Sequence, residues 1–371
     1  MIIVDPCWPT TLRSLRQAAG LSYRGLGRQV AYSASYLCEL EAGRKTPTVS
    51  VAEHLDAALG AAGKLAGLVV DDAAGLDGDQ RSRLATGDTS SAAVDALAVI
   101  LAQHRRLEDA VGSAAVVDAA AAQLATMERL VATAAGAGQA QLQHLYGQSA
   151  QLVGWLQMTL GQYGAARRTL ARAEAAARAA GDVDLIALVV SFRGHLAELC
   201  GRPTEAAELS RAALAGGSKV YIGERVYDTL QLARAVAHVD DRRAATETIR
   251  EADQLAAEFD AIGSNPPPWH YYRSAAFLTM ERGLVHAIHA STDRRAADAA
   301  ISDLTAGLAA LPDVQRHAEW AGDYLLALAD VHAAVGDQNA STQTLEEVQT
   351  VADATGSARL RRAVRKRPAN G

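Results

Sequence analysis

Residues 12–64 decide the fold. They read Leu12-Arg-Ser-Leu-Arg-Gln-Ala-Ala-Gly-Leu-Ser22, Tyr23-Arg-Gly-Leu-Gly-Arg-Gln-Val30, Ala31-Tyr32, Ser33-Ala-Ser-Tyr-Leu-Cys-Glu-Leu-Glu-Ala-Gly43 and Arg44-Lys45-Thr46-Pro47. Apolar residues recur at helical spacing in short runs, each preceded by a residue able to cap a helix. The first run is expected to start at a Thr10 or Thr11 cap after Pro9, to carry Leu12, Leu15 and Arg16 at helical spacing, and to stop at Gly20. Ser22 is placed to cap the second, whose inward positions are Leu26 and Val30, with Gly27 where that helix must pass close to the next. Ser33 caps the third, with Leu37 and Leu40 inward, and Ser50-Val-Ala-Glu53 has the spacing of a capping box opening a further helix through Leu55 and Leu59. A short helix, a tight turn and a second short helix form the smallest unit that can place one helix end in a DNA major groove.

With Leu37 and Leu40 inward, a groove would meet Ala34, Ser35, Tyr36 and Glu39. A serine hydroxyl can bond either base class, an alanine methyl can pack on the thymine methyl, and a carboxylate can accept from cytosine N4. Candidate phosphate contacts are Tyr23, Arg28, Arg44 and Lys45, together with the backbone amides at the helix start.

The run Leu12-x-x-Leu15-Arg16, Leu21-Ser22, Gly27, Ser33-x-Ser35-Tyr36-Leu37 and Leu40-Glu41-x-Gly43-Arg44-x-x-Pro47 resembles the Xre/Cro phage-repressor family over about residues 12–64. The resemblance implies a lambda-repressor-like domain in which the start of the third helix reads bases and the loop after it holds phosphates. For this chain that means Ala34, Ser35 and Glu39 in the first role and Arg44 in the second. Two positions depart from the pattern: Tyr23 stands where glutamine is usual, and Ala31 where the turn glycine is usual. A left-handed Ala31 would cost about 1 kcal/mol.

The full chain of 371 residues has room for two or three domains, and 49% hydrophobic residues suffice for a sizeable core. Its net charge of −6 is distributed unevenly: residues 1–64 carry +2 and residues 359–371 carry +6, which leaves −14 on the stretch between. A basic head on an acidic body fits DNA contact confined to one module. Cys7, Cys38 and Cys200 are far apart and form no Cys-x-x-Cys, so reduced thiols are expected. There is no basic segment followed by an apolar leader, and no apolar run near the ~18 residues of a membrane span. A soluble, cytoplasmic protein with no membrane contact is the expectation.

Residues 66–91 lose periodicity and gain Gly, Asp and Ser, as a linker would. Beyond them, residues 92–356 predict helical hairpins. Gly154, Ala166, Leu170 and Ala173 turn at Gly161-Gln-Tyr163; Gly194, Ala206, Ser210 and Ala213 turn at Gly201-Arg-Pro203. Ala233, Ala245, Ile249 and Ala252 turn at Asp240-Asp241; Ala329, Ser341, Leu345 and Val348 turn at Gly336-Asp337. Such pairs resemble degenerate tetratricopeptide repeats, so the expected fold class is all-α: a helix-turn-helix head followed by a tetratricopeptide-like α-solenoid. The interval around Pro266-Pro-Pro268 marks an irregular copy.

A solenoid presents the first helix of each pair on its concave side, which would put Gln148, Gln151, Trp155, His195, Tyr227 and Arg234 in a candidate peptide groove. The alternative is that Trp155 packs between helices and the glutamines are solvated. The aromatic patch Trp269-His-Tyr-Tyr272-Arg273 is expected as a buried joint rather than a ligand site. The basic stretch 357–371 is expected as a frayed, solvated end, or else as a contact for DNA or an acidic groove.

Motifs for catalysis are missing from the sequence. Gly60-Ala-Ala-Gly63-Lys64 has the wrong spacing for a phosphate loop, and His286 and His289 have no third ligand at metal spacing. No Gly-x-Ser-x-Gly elbow occurs, and no cysteine has a local histidine. No enzyme activity, cofactor or metal is expected. The combination of head and body is similar to the peptide-responsive quorum-sensing regulators of Gram-positive bacteria, and over most of the chain to helix-turn-helix regulators of Streptomyces. It implies a transcriptional regulator that binds double-stranded DNA at a two-fold operator as a homodimer, with a peptide or small-molecule effector. The competing expectation is a tetratricopeptide interaction scaffold whose head does not read DNA sequence.

Overall fold

In the computed structural model, residues 2–4, 7–71, 91–134, 138–239, 241–262 and 266–367 are described. Contacts divide the chain into a head, residues 1–86, and a body, residues 87–371.

The head begins with β1 (Ile2–Val4) and α1 (Trp8–Ala18). The helix opens earlier than expected, because Pro9 sits in its first turn, where a missing N–H costs nothing. Thr10 and Thr11 lie inside that turn and donate their hydroxyls back to the Cys7 carbonyl at 2.8 and 2.9 Å. They are therefore not the cap. Trp8 is fully buried and its indole N–H donates to the Leu65 carbonyl at 3.0 Å. Gly20, at φ +66°, ends the helix as expected.

Next come α2 (Tyr23–Val30) and α3 (Ala34–Glu41), with Ser22 and Ser33 accepting from the amides of Gly25 and Tyr36, each at 3.1 Å. Ala31 between them is left-handed, at φ 54° and ψ 30°. Gly27 is required by the turn rather than by the next helix. A Cβ there would run into the Tyr32 carbonyl oxygen, while the Leu37 side chain stays at an ordinary 3.7 Å. For α4 (Val49–Leu59), the cap is Thr48, whose hydroxyl accepts from the Val51 amide at 3.3 Å, and not Ser50. The Asp56 carboxylate then accepts the amides of Leu65 (2.9 Å) and Ala66 (2.7 Å) and turns the chain back over the domain. After a single 3-10 turn at Ala66–Leu68, β2 (Val69–Asp71) pairs antiparallel with β1, Ile2 opposite Asp71 and Val4 opposite Val69. Residues 66–71 thus belong to the head and not to the expected linker, of which residues 72–90 lie outside the described residues. Trp8, Leu12, Leu26, Leu37, Leu40, Leu55 and Leu65 form the core, each fully buried.

The body is built from antiparallel helix pairs: α5 (Ser91–Val111) with α6 (Ser113–Thr133), then α7 (Gly138–Thr159) with α8 (Tyr163–Ala180). There follow α9 (Val183–Leu199) with α10 (Pro203–Leu214), and α11 (Ile222–His238) with α12 (Arg242–Ile262). The irregular copy is a further pair, α13 (Ala275–Ala287) with α14 (Arg294–Ala310), preceded by a Pro-rich 3-10 turn at Pro268–His270. A short α15 (Asp313–Arg316) leads to α16 (Ala321–Ala334), α17 (Gln338–Ala354) and α18 (Ala358–Arg365). The turns expected at residues 161–163, 201–203 and 336–337 fall between paired helices; Asp240 of the fourth lies outside the described residues. Small residues sit where paired helices touch. Ala166 and Ala173 are fully buried, and a Cβ on Gly154 would lie 2.7 Å from Leu170 Cδ2. Among the described residues the chain is all-α apart from one two-stranded ribbon in the head, a helix-turn-helix domain followed by a helical solenoid.

The basic end is not frayed up to residue 367. Leu360 of α18 is fully buried against Gly322, a burial that stabilises by roughly 2 kcal/mol. Arg359 pairs with Asp323, Arg361 with Asp353 and Arg367 with Asp330. Those arginines have partners on the solenoid itself, so they are not a free cationic arm. Residues 368–371 of the expected tail lie outside the described residues.

Candidate DNA interface and a cavity in the helical body

At the start of α3, Ser35 is exposed, Ala34, Tyr36 and Glu39 are half-buried, and Arg28, Arg44 and Lys45 are exposed. These seven expected residues are reachable from solvent. Glu39 meets Lys45 at 3.3 Å, and the Lys45 ammonium lies 5.4 Å from the centre of the Tyr36 ring. An exposed pair of this kind contributes under about 1 kcal/mol, so both groups are free to exchange partners. Gly43, at φ +68°, reverses the chain so that the amides of Arg44 and Lys45 both reach the Glu39 carbonyl, at 2.9 and 3.3 Å. The loop after α3 is therefore fixed by its backbone while its two cations project outward.

Tyr23 differs from the expectation. Its hydroxyl donates to Glu41 Oε2 at 2.9 Å, so it is engaged within the head. Sequence reasoning missed the reason. Arg16 and Glu41 form a buried two-point pair, Nε to Oε1 at 2.6 Å and Nη2 to Oε2 at 2.9 Å, and Arg16 Nη1 also donates to the Leu21 carbonyl at 2.8 Å. The guanidinium lies 4.2 Å from the Tyr23 ring centre. The hydrogen bond to Glu41 raises the Tyr23 pKa, so the phenol keeps its proton. This staple ties the end of α3 to α1 and to the start of α2, which sets the angle at which α3 is presented. A charged residue at an inward helical position, Arg16, was the available signal.

The body encloses a cavity of about 130 Å³. Five of the six expected groove residues line it: Gln151, Trp155, His195, Tyr227 and Arg234. Gln148 stands behind the wall, its Oε1 accepting from Arg105 Nη2 at 3.1 Å and its Nε2 2.6 Å from His144 Nε2. Gln148, Gln151, Tyr227 and Arg234 are buried and Trp155 and His195 half-buried, so most of the expected groove residues line a recessed cavity, while His195 and Arg234 also border a more open depression of about 470 Å³ beside it. The physical cause is the Pro-rich turn. It cannot continue a helix, and it directs Trp269, Tyr271 and Tyr272 into the space between the pairs. The aromatic patch is thus a joint and a cavity wall at once.

Three further wall residues, Arg105, Glu108 and Asp109 of α5, were not anticipated. Their signal was charge at the helical positions that continue the buried face from Leu101. Glu108 is fully enclosed; its Oε1 accepts from the Ser113 hydroxyl at 3.0 Å and from the Trp155 indole at 3.3 Å. Burial, with help from the charge of Asp109, pushes its pKa up to about 8, so it carries a proton at neutral pH. Asp109 accepts from the Trp320 indole at 2.9 Å and the Tyr271 hydroxyl at 2.8 Å. Burial raises its pKa, and those two donors oppose the shift. Arg234 is held by Glu198 Oε1 at 2.6 Å and by Glu281, whose other oxygen accepts from the Tyr324 hydroxyl. His195 lies half-buried beside Trp155, and burial lowers its pKa, which keeps it neutral. Among the described residues there is no cluster of three metal-ligating side chains, and no helix is long and apolar enough to cross a membrane.

Residues 10–69 match a helix-turn-helix domain family. No curated protein matches the chain. Among solved structures, the crystal structure of BtubC (BKLC) from P. vanneervenii is similar at 18% identity and a TM-score of 0.43, over 69% of this chain and 93% of that one. The N-terminal unit is a helix-turn-helix domain of the DNA-binding kind, joined to an all-helical body.

Proposed function

We propose that this chain is a sequence-specific, DNA-binding transcriptional regulator of the Xre/Cro type, cytoplasmic, with a tetratricopeptide-like body that dimerises, holds a small effector, or both. The observation that carries the reading is the helix-turn-helix match over residues 10–69, coupled with an α3 whose start leaves Ser35 exposed beside the exposed cations Arg28, Arg44 and Lys45. One short helix reads few base pairs, so tight binding requires two heads. A homodimer then dictates a two-fold operator with half-sites about 34 Å, or a multiple of that, apart. The effector part rests on the cavity and its fixed polar groups. In this reading the cavity binds and releases its ligand without chemical conversion, and the chain is not an enzyme.

The test is selection of genomic DNA fragments by the purified full-length protein. An enriched two-fold motif is the expected result. Enrichment of no motif, with binding that depends only on DNA length and salt, would favour the interaction scaffold.

A further inference from the structure

We propose that the cavity of the helical body binds a small organic acid with a single-ring or fused-ring aromatic body, its carboxylate on Arg105 and its ring against the indoles of Trp155, Trp269 and Trp320. The proposal deepens the effector part of the reading above and rests on it.

The argument begins with which wall groups already have partners. Arg234 is taken by Glu198 and Glu281, and Glu281 also by Tyr324. Asp323 is taken by Arg359, and Asp109 by the Trp320 indole and the Tyr271 hydroxyl. Among the charged wall groups Arg105 is the exception. Its side chain is 6% exposed, and its one side-chain hydrogen bond goes to the neutral Gln148 amide. Among the described residues no carboxylate lies within ion-pair distance of it. Burial pushes its pKa down to about 10, with no carboxylate to oppose the shift.

Nor is the guanidinium loosely placed. Gln148 is itself positioned by His144, whose Nδ1 lies 2.7 Å from Asp182 Oδ2. A relay of three side chains therefore fixes Arg105 from behind while its remaining donors border the cavity. A buried charge is ordinarily paired, and a guanidinium without a carboxylate is what a ligand carboxylate would complete, through two parallel hydrogen bonds.

Charge and size exclude the other ligand classes. An ammonium ligand would meet Arg105 as a like charge and find the wall carboxylates either occupied or, at Glu108, protonated. A group that fills this cavity is small, since about 130 Å³ is close to the roughly 150 Å³ that holds one benzene ring. The protonated Glu108 adds a donor for a second ligand oxygen, and the indoles supply flat apolar walls.

The test uses the full-length protein and three probes of one shape: phenylacetate, phenylacetamide and phenethylamine. Binding is read by calorimetry and by tryptophan fluorescence. The expected result is that the acid binds about tenfold or more tighter than the amide, and that the amine does not bind. Arg105→Met is expected to erase the preference for the acid. Because it removes a buried charge that no carboxylate balances, it is also expected to leave the melting temperature unchanged or raised. Equal binding of acid and amide, preference for the amine, no binding of any probe at millimolar concentration, or a preference that survives Arg105→Met overturns the proposal. The wild-type comparison needs no variant to fold. Since no DNA is present, failure here leaves the DNA-reading half standing, and failed DNA selection leaves the ligand result standing.

Discussion

The head and the body keep their polar groups in opposite places. In the head, Arg28, Arg44, Lys45 and Ser35 lie in solvent, and one buried pair, Arg16 with Glu41, holds the frame. In the body, Arg105, Arg234, Arg273, Glu108, Asp109, Glu224 and Glu281 are all buried, most of them tied to one another or to aromatic donors. A surface that meets a polyanion gains from mobile exposed cations, because the gain comes from displaced counterions. A cavity that recognises one small molecule gains from groups fixed in advance by their neighbours. In the proposed reading the same residue types serve two kinds of recognition, and exposure decides which.

This contrast breaks most severely at the staple of the head. Glu41→Ala leaves Arg16 buried without its carboxylate and Tyr23 without its acceptor, and should cost about 3–5 kcal/mol in urea unfolding of the head. A loss below about 1 kcal/mol would show that the pair does not hold the frame.

Glu108→Gln probes the body. The folded pKa of about 8 lies above the usual 4.5, so the folded state binds the extra proton between those values. Wild-type stability from this group therefore falls as pH rises from about 5 to 8 and stays reduced above that. Glutamine keeps an oxygen for Ser113 and Trp155 and cannot ionise beside Asp109 and Glu319. The variant's stability advantage over wild type should grow by about 1–3 kcal/mol from pH 6 to pH 9, read from melting curves at both pH values.

Smaller effects belong to the exposed groups. Arg44→Ala combined with Lys45→Ala should weaken binding to every DNA sequence by about tenfold and lower the salt slope by about 0.9 for each phosphate no longer neutralised. The smallest change sharpens the comparison within the head: Ala31→Gly relieves a left-handed alanine and should raise the head's stability by about 0.5–1 kcal/mol.

Most of the head was legible in the sequence, because caps and glycines act locally. Ser22, Ser33 and Gly20 do what their spacing implies, and Ala31, standing where the turn glycine is usual, is left-handed. What was missed depends on distant partners: Trp8 on Leu65, Asp56 on Leu65 and Ala66, and the ribbon that joins residues 2–4 to 69–71. In the body, the alternation of small and apolar residues disclosed the helix pairs. It could not disclose that the Pro-rich turn lies over a cavity, since that needs the positions of α5, α7, α9, α11, α13 and α16 at once. Arg105 left only a weak signal, a charge in register with the buried Leu101, because its sequence neighbours otherwise look like an ordinary charged helix face. The basic end differs from its expectation because its partners Asp323, Asp330 and Asp353 lie on other helices.

The most direct test of the central claim, that the start of α3 reads DNA sequence, is selection from randomised DNA by full-length wild type, Ser35→Ala and Arg44→Ala in parallel. The account predicts an enriched two-fold motif for wild type, changed at one base pair of each half-site by Ser35→Ala and unchanged in sequence by Arg44→Ala, which should only bind more weakly. The same motif from Ser35→Ala as from wild type, or no motif from any of the three, would contradict it.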